Sequence, residues 1–134
     1  SCLATGPAIA EEMKTMLAAA IAGAAKAGLE HIDCPMTAYY RWDCADDGVA
    51  HFTCGPRVAG GAAAPEGDGF GVRTVGACKY VTVVHVGPYE NEKKTYDATF
   101  EWIKAKGYES RMPVLEMYVD DPKEVEAAKM RTKI

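Results

Sequence analysis

The stretch IKAKGYE, residues 103–109, has a counterpart earlier in the chain, AAKAGLE at residues 24–30. The two align with Gly107 on Gly28, an offset of 79 residues. Upstream, GPAIAEEMKT (6–15) resembles GPYENEKKT (87–95), and downstream PMTAYY (35–40) aligns with PVLEMY (113–118), proline on proline. A repeat of roughly 75–80 residues is too long for a solenoid period. It predicts a duplicated domain with a pseudo-twofold axis.

Each half of the chain predicts the same order of elements: strand, helix, strand, strand. Apolar residues from Ile9 to Ala24 recur at spacings of three and four, which predicts a helix that ends at Gly28. A second helix follows GPYE and ends at Gly107. Four runs rich in strand-forming residues predict strands: CPMTAYYRWD (34–43), VAHFTCGPRV (49–58), CKYVTVVHVG (78–87) and MPVLEMYVD (112–120). Only SCLAT precedes the first Gly-Pro, so we expect a short or curtailed first strand, and a last strand near KMRTKI (129–134).

These elements predict an α+β fold of duplicated β-α-β-β units. Its antiparallel sheet would carry two main helices on one face, flanking a central cleft. We expect a single domain over residues 1–134, with repeat 1 at about 1–58, a connection at 59–71 and repeat 2 at about 72–134. A chain of 134 residues is long enough to build a hydrophobic core without disulfides or metals.

Composition excludes several classes of function. The net charge is −4 and the basic residues are scattered, which is unfavourable for binding nucleic acid or an anionic membrane. No apolar run approaches the ~20 residues of a membrane span. The five cysteines are odd in number and lack zinc-site spacing, which indicates free thiols. We therefore expect a cytoplasmic protein with no metal, no cofactor, no direct contact with nucleic acid and no membrane attachment.

One acid stands in the middle of an otherwise apolar strand. Alternation along that strand places Glu116 and Tyr118 on the same face. The repeat alignment pairs Ala38 with Glu116 and Tyr40 with Tyr118, and Trp42 shares the face of Tyr40. A buried, unpaired carboxylate costs several kcal/mol or shifts its pKa upward, and a cationic ligand between aromatic rings would compensate. The acid could instead serve as a general acid or base, or lie on the solvent face beside a lysine.

Two further residues are candidates for the same cleft. His85, before Gly-Pro-Tyr, either hydrogen-bonds a ligand or packs within its strand. Trp102 lies off the main apolar stripe of its helix, so it either lines the cleft or packs. The complete set of candidate ligand-binding residues is Glu116, Tyr118, Tyr40, Trp42, Trp102 and His85.

The second half carries a resemblance to a known family. The strings VVHVGPYE (83–90), TYDATFEWIKAKGYE (95–109) and PVLEMYVDDP (113–122) are similar to the second repeat of the GyrI-like family, and the first half resembles the first repeat more loosely. This family is also seen as the effector-binding half of some multidrug-responsive transcription regulators. The resemblance implies a duplicated β-α-β-β fold with a central cleft. It also implies that Glu116 lies in the pocket and meets cationic or lipophilic ligands.

Three functions are compatible with this sequence. We favour a stand-alone binding module for hydrophobic, cationic small molecules, acting in sensing or sequestration, as a monomer or a homodimer. The first alternative, implied by the resemblance, is a hydrolase of cyclopropane-containing genotoxins, with Glu116 as the catalytic candidate beside the pocket tyrosines. The second is an inhibitor that binds a DNA gyrase, for which an acidic surface patch would be the expected feature.

Overall fold

The computed structural model describes residues 2–5, 8–42, 49–59 and 71–134. The first half contains β1 (Cys2–Thr5), α1 (Ala8–Lys26), β2 (His31–Trp42) and β3 (Val49–Val58). The second half contains β4 (Val84–Val86), α2 (Glu92–Ala105), β5 (Val114–Tyr118) and β6 (Arg131–Lys133). Short 3-10 helices lie at Tyr89–Asn91 and Ala127–Lys129.

The strands form one antiparallel sheet in the order β1-β3-β2-β5-β6-β4. Each half contributes three adjacent strands, and β2 and β5 meet at the centre of the sheet. The prediction of an α+β fold with an antiparallel sheet and two main helices is therefore confirmed. The order of elements is the same in both halves, while descent from one duplicated unit stays a prediction.

Both main helices end in the same way. Gly28 and Gly107 have φ angles of 68° and 72°, in the left-handed region that glycine adopts without a steric penalty. At α1 the amide of Leu29 donates to the carbonyl of Ala24 at 2.9 Å, and at α2 the amide of Tyr108 donates to that of Ile103 at 3.1 Å. These bonds satisfy carbonyl groups that a helix end would otherwise leave unpaired.

The two helices lie on the same face of the sheet. From α1, Met13 packs against the apolar cluster of Tyr39, Ala50 and Phe52 on β2 and β3. From α2, the Tyr96 hydroxyl reaches Glu116 on β5. Residues directly opposite one another in an antiparallel pair share a face, and Tyr39 lies opposite Val114, two residues from Glu116.

The strand expected at residues 78–87 is shorter than its composition predicts. β4 pairs with β6 over three residues, and Val83 adds two backbone hydrogen bonds of 2.9 Å with Ile134. Residues 71–83 have no regular secondary structure. The final strand is found as β6, and β1 is short, as expected. The expected turn after β2 and most of the connection at 59–71 lie outside the described residues.

None of the described helices combines the length and the hydropathy that crossing a bilayer requires.

Candidate functional site

Glu116 lies at the middle of β5, near the centre of the sheet. Its register partner is Thr37 of β2, and both side chains point toward the two helices. Only 2% of the surface of Glu116 is exposed. The sequence question about this acid is therefore answered, because the carboxylate is buried rather than on the solvent face.

Three tyrosine hydroxyls donate to this carboxylate. Tyr96 of α2 lies 2.5 Å from Oε1, while Tyr118 of β5 and Tyr39 of β2 lie 3.0 and 3.2 Å from Oε2. Burial raises the pKa of Glu116 above its ordinary value, and the hydrogen bonds from the tyrosines act in the opposite direction. The carboxylate is thus held by neutral donors that come from three separate elements.

The same environment keeps the tyrosines protonated. Burial raises the pKa of Tyr39, Tyr96 and Tyr118, and the negative charge of Glu116 raises each further. An electrically neutral hydroxyl can donate its proton to the carboxylate, whereas a phenolate would repel it. Glu116 and these three residues are called the tyrosine–carboxylate cluster below.

Tyr118 links the cluster to its surroundings. Its oxygen lies 2.9 Å from Thr37 Oγ1 and 3.0 Å from Glu116 Oε2. A phenol has one proton, so donation to Glu116 leaves the oxygen free to accept from Thr37. The ring of Tyr89 meets that of Tyr118 edge to face, with centroids 5.8 Å apart. The sequence prediction that Tyr118 shares a face with Glu116 agrees with this geometry.

A second carboxylate lies in the same interior. Glu92 is the first residue of α2 and is 8% exposed. Burial, followed by the negative charge of Glu116, raises the pKa of Glu92 to about 7. Its Oε1 atom has no hydrogen-bond partner among the described residues, and the same holds for Oγ1 of Thr132 on β6.

His85 is buried on β4 and holds the start of α2. Its Nε2 lies 3.2 Å from the carbonyl oxygen of Pro88, and its Nδ1 lies 2.8 Å from Thr95 Oγ1. A carbonyl only accepts, so Nε2 donates. A positive charge on His85 lowers the pKa of Glu116, after the larger effects of burial and the tyrosine hydroxyls. Both ring nitrogens of His85 thus have hydrogen-bond partners within the protein, Pro88 and Thr95.

The structure corrects the expected position of Tyr40. Tyr39 lies opposite the buried Phe52 on the helix-facing side, and a register shift follows between Tyr39 and Arg41. The ring of Tyr40 packs against His51 on the opposite face, with centroids 5.6 Å apart. The prediction that Tyr40 shares a face with Glu116 is wrong, because alternation assigns that face to its neighbour Tyr39.

Trp102 is not part of the tyrosine–carboxylate cluster. Trp102, in the second half of α2, is exposed and stacks on Tyr108 with centroids 6.3 Å apart. The ammonium of Lys106 lies 5.8 Å from the centroid of Trp102. Trp42 ends β2, and its side chain lies outside the described part of the chain.

An open groove adjoins the cluster. Its lining includes Thr15 and Met16 of α1 and Tyr96 and Thr99 of α2. Glu116, Tyr39 and Tyr118 do not line it. Tyr96 is therefore the member of the cluster that lines the groove, and its hydroxyl contacts the buried carboxylate.

Sequence reasoning missed four residues of this interior: Tyr39, Tyr96, Glu92 and Thr132. The signal for Tyr39 was present, since continuing the helix offset of 79 into the strands pairs Tyr39 with Tyr118 and Thr37 with Glu116. The proline alignment, at an offset of 78, hid that match. Glu92 and Tyr96 are four residues apart, which places both on one face of α2.

The chain was compared with known proteins. No match is found among curated protein sequences. Among solved structures, it is similar to EcmrR in the cryo-EM structure of the EcmrR–DNA complex in EcmrR-RPo, with a TM-score of 0.67 and 22% sequence identity. The match covers 95% of this chain and 44% of that one, so this chain spans less than half the length of EcmrR. At this identity the likeness supports the fold.

A family model describes nearly the whole chain. The model of the GyrI-like small molecule binding domain matches residues 5–134. The chain therefore belongs to the family of GyrI-like small-molecule-binding domains.

Proposed function

We propose that this domain binds hydrophobic, cationic small molecules and that Glu116 is the anionic anchor for their positive charge. The observation that carries the proposal is a buried carboxylate that lacks a strong cationic partner. Among the described residues, no lysine or arginine forms an ion pair with Glu116. Its donors are neutral hydroxyls.

The energetics favour a cation at this position. Removing a carboxylate from water costs several kcal/mol, and neutral hydrogen bonds recover part of that cost. A positive charge a few ångströms away recovers more, because the Coulomb energy is larger where the effective dielectric constant is lower. The desolvation free energy of a hydrophobic cation is also smaller than that of a small, strongly hydrated ion.

Tyr96 supports a route to the anchor. This residue lines the groove, and its hydroxyl donates to Glu116 Oε1. A rotation of this side chain would open the carboxylate to the groove without moving the sheet. The rings of Tyr39 and Tyr118 would then face the ligand, and each aromatic contact with a cation contributes about 0.5–2 kcal/mol.

Sensing and sequestration are both compatible with such a module. The similarity to EcmrR, whose structure was determined in a complex with DNA, favours sensing within a larger assembly. In either role, the domain binds the ligand and does not consume it.

Calorimetry with matched ligands tests the proposal. Tetraphenylphosphonium is a lipophilic cation, and triphenylphosphine oxide is a neutral molecule of similar shape. We expect the cation to bind and the Glu116→Gln variant to bind it about 10–100-fold more weakly, as loss of a buried charge pair requires. Glu101→Gln is the control, since it removes the same charge from an exposed position on α2. Equal affinity of the wild type and Glu116→Gln for the cation would overturn the proposal.

A hydrolase of cyclopropane-containing genotoxins is the second candidate. The observation that favours it is Glu92, whose pKa of about 7 beside Glu116 suits proton transfer near neutral pH. Incubation with a cyclopropane-bearing alkylator, followed by mass spectrometry, tests it. Ring-opened product that disappears in Glu116→Gln would support catalysis, and binding without product would exclude it. The gyrase-binding alternative stays a prediction that a pull-down with gyrase can test.

A further inference from the structure

Two buried polar atoms beside the cluster have no hydrogen-bond partner among the residues that the structure describes. They are Oε1 of Glu92 and Oγ1 of Thr132, in side chains that are 8% and 0% exposed. Buried polar groups in native proteins are nearly always hydrogen-bonded, because an unsatisfied one costs about 1–3 kcal/mol. Two such atoms in one small interior indicate a position that a ligand group fills.

The sheet register places Thr132, and the helix periodicity places Glu92, in the buried region around Glu116. Thr132 lies opposite Tyr118 on one side and opposite His85 on the other, so it shares their face of the sheet. Glu92 lies one helical turn before Tyr96, which contacts Glu116 directly.

Electrostatic effects show the same proximity. Burial raises the pKa of Tyr89, and the charge of Glu92 is the next contribution. Burial also comes first for Glu92 itself, followed by the charge of Glu116, while the nearby hydroxyl of Thr132 lowers the pKa of Glu92. The two carboxylates therefore repel each other within one interior.

The two oxygen atoms of Glu92 and Thr132 determine which ligand group could bind them. A carboxylate oxygen accepts hydrogen bonds, and a threonine hydroxyl can also accept. Among the described residues, neither a lysine nor an arginine forms an ion pair with Glu92, and no group of three metal-ligating side chains exists. An ammonium group, with three N–H donors and a positive charge, matches the two atoms.

We propose that Glu92 and Thr132 form a second polar subsite beside Glu116, and that this domain prefers hydrophobic diamines with one ammonium group on each carboxylate. The inference rests on the proposed function, because the first ammonium group is the one that Glu116 binds. A dication removes the repulsion between the carboxylates, whereas a monocation leaves one of them without a partner.

A matched pair of probes tests the inference. Para-xylylenediamine and 4-methylbenzylamine share one ring and one aminomethyl group, and differ by the second ammonium. Titration at pH 8, above the pKa of Glu92 of about 7, keeps its carboxylate charged. We expect the wild type to bind the diamine at least ~10-fold more tightly than the monoamine, since each charge-assisted hydrogen bond contributes on that scale.

Variants test whether the higher affinity for the diamine comes from Glu92 and Thr132. Glu92→Gln should remove the preference for the diamine and change the affinity for the monoamine less than about threefold, while Glu116→Gln should weaken both amines about tenfold or more. Thr132→Val keeps the shape of the side chain and should reduce only the diamine affinity. Thermal melts establish that each variant is folded, and Thr132→Val supplies the test if Glu92→Gln does not fold.

The outcomes separate this inference from the proposed function. If the monoamine binds through Glu116 and the diamine gains nothing, or if Glu92→Gln and Thr132→Val leave the diamine affinity unchanged, the second subsite is overturned and the anchor role of Glu116 stands. If neither amine binds at millimolar concentration, the second subsite is overturned, and the anchor role of Glu116 is decided by the calorimetry with tetraphenylphosphonium.

Discussion

The interior under α1 and the interior under α2 are built from different chemistry on one face of the same sheet. Under α1, Ala50 and Phe52 are fully buried, and Met13 of α1 packs on them. Under α2, the buried side chains are mainly polar: Glu92, Glu116, Thr132 and His85. Tyr39 joins the two regions, because its ring lies in the apolar cluster and its hydroxyl donates to Glu116.

This difference separates stability from binding within a small domain. Apolar burial stabilises the folded state by about 25 cal/mol per Å². A buried residue under α1 therefore contributes more to the free energy of unfolding than a buried residue under α2. Buried carboxylates destabilise the folded state unless they are paired. We therefore expect the second region to be under strain in the free protein, and a ligand to relieve that strain.

The largest effect should follow loss of apolar packing under α1. Phe52 is 0% exposed and its ring lies 5.8 Å from that of Tyr39, so Phe52→Ala should lower the free energy of unfolding by about 3–5 kcal/mol. Phe100→Ala is the matched control, since Phe100 on α2 is 41% exposed, and it should cost under about 1 kcal/mol. Denaturant unfolding measures both values. Equal losses would contradict the assignment of the core to the first region.

The next effect should come from Glu92, and it should depend on pH. The pKa of Glu92 in the folded protein, about 7, lies above its ordinary value of 4.5, so the folded state binds the proton more tightly. The contribution of Glu92 to stability is then fully present below about pH 4.5 and is lost as pH rises through 7. We expect Glu92→Gln to raise the free energy of unfolding by about 1–3 kcal/mol at pH 8 and to have little effect at pH 4.5.

Unfolding curves at pH 4.5, 6, 7 and 8 measure this change. Glu116 also has a raised pKa, so Glu92→Gln should remove part of the pH dependence and leave the rest. Glu101→Gln is the control, because Glu101 is an exposed acid on the same helix, whereas the charge of Glu90 itself raises the pKa of Glu92. If the wild type and Glu92→Gln show the same dependence of stability on pH between 5 and 8, the raised pKa of Glu92 is contradicted.

The sequence was sufficient for features that depend on local chemistry. The apolar spacing and the terminal glycines predict both helices, and the burial of Glu116 follows from its place in an apolar strand together with the family resemblance. The partners of Glu116 were not predictable in this way. Thr37 lies opposite Glu116, so alternation places Tyr39 on the face of Glu116, and the one-residue difference between the two repeat offsets assigned that face to Tyr40 instead.

Glu92 shows a second limit of sequence reasoning. An acid in the first turn of a helix is usually explained by the helix dipole and exposed to water. Here the side of α2 that carries Glu92 and Tyr96 faces the interior, and contacts such as that of Thr95 with His85 hold the helix in this position. Such contacts join residues from different elements, so no local pattern predicts them.

A smaller effect should distinguish the tyrosine shared by both regions from the one in the polar region. Tyr39→Phe and Tyr118→Phe each remove one donor to Glu116 Oε2, and each should lower the free energy of unfolding at pH 8 by about 1–2 kcal/mol. Tyr118→Phe should cost more, because it also leaves the buried Thr37 hydroxyl without its partner. Denaturant unfolding of both variants checks the order. A larger loss of stability for Tyr39→Phe than for Tyr118→Phe would contradict the expected order and would show that the hydrogen bond from Tyr39 is the stronger one at the carboxylate.

The smallest effect should be the same in both regions. Gly28 and Gly107 end α1 and α2 with φ angles of 68° and 72°, and a Cβ atom at either position would meet nothing within 4 Å. Alanine therefore pays only for the left-handed backbone, about 1 kcal/mol at each site. Thermal and denaturant unfolding of Gly28→Ala and Gly107→Ala measure the two costs. Clearly unequal losses would contradict this expectation. They would show that the end of one helix contributes more to stability than the end of the other, so that the two regions differ at their helix ends as well as in their interiors.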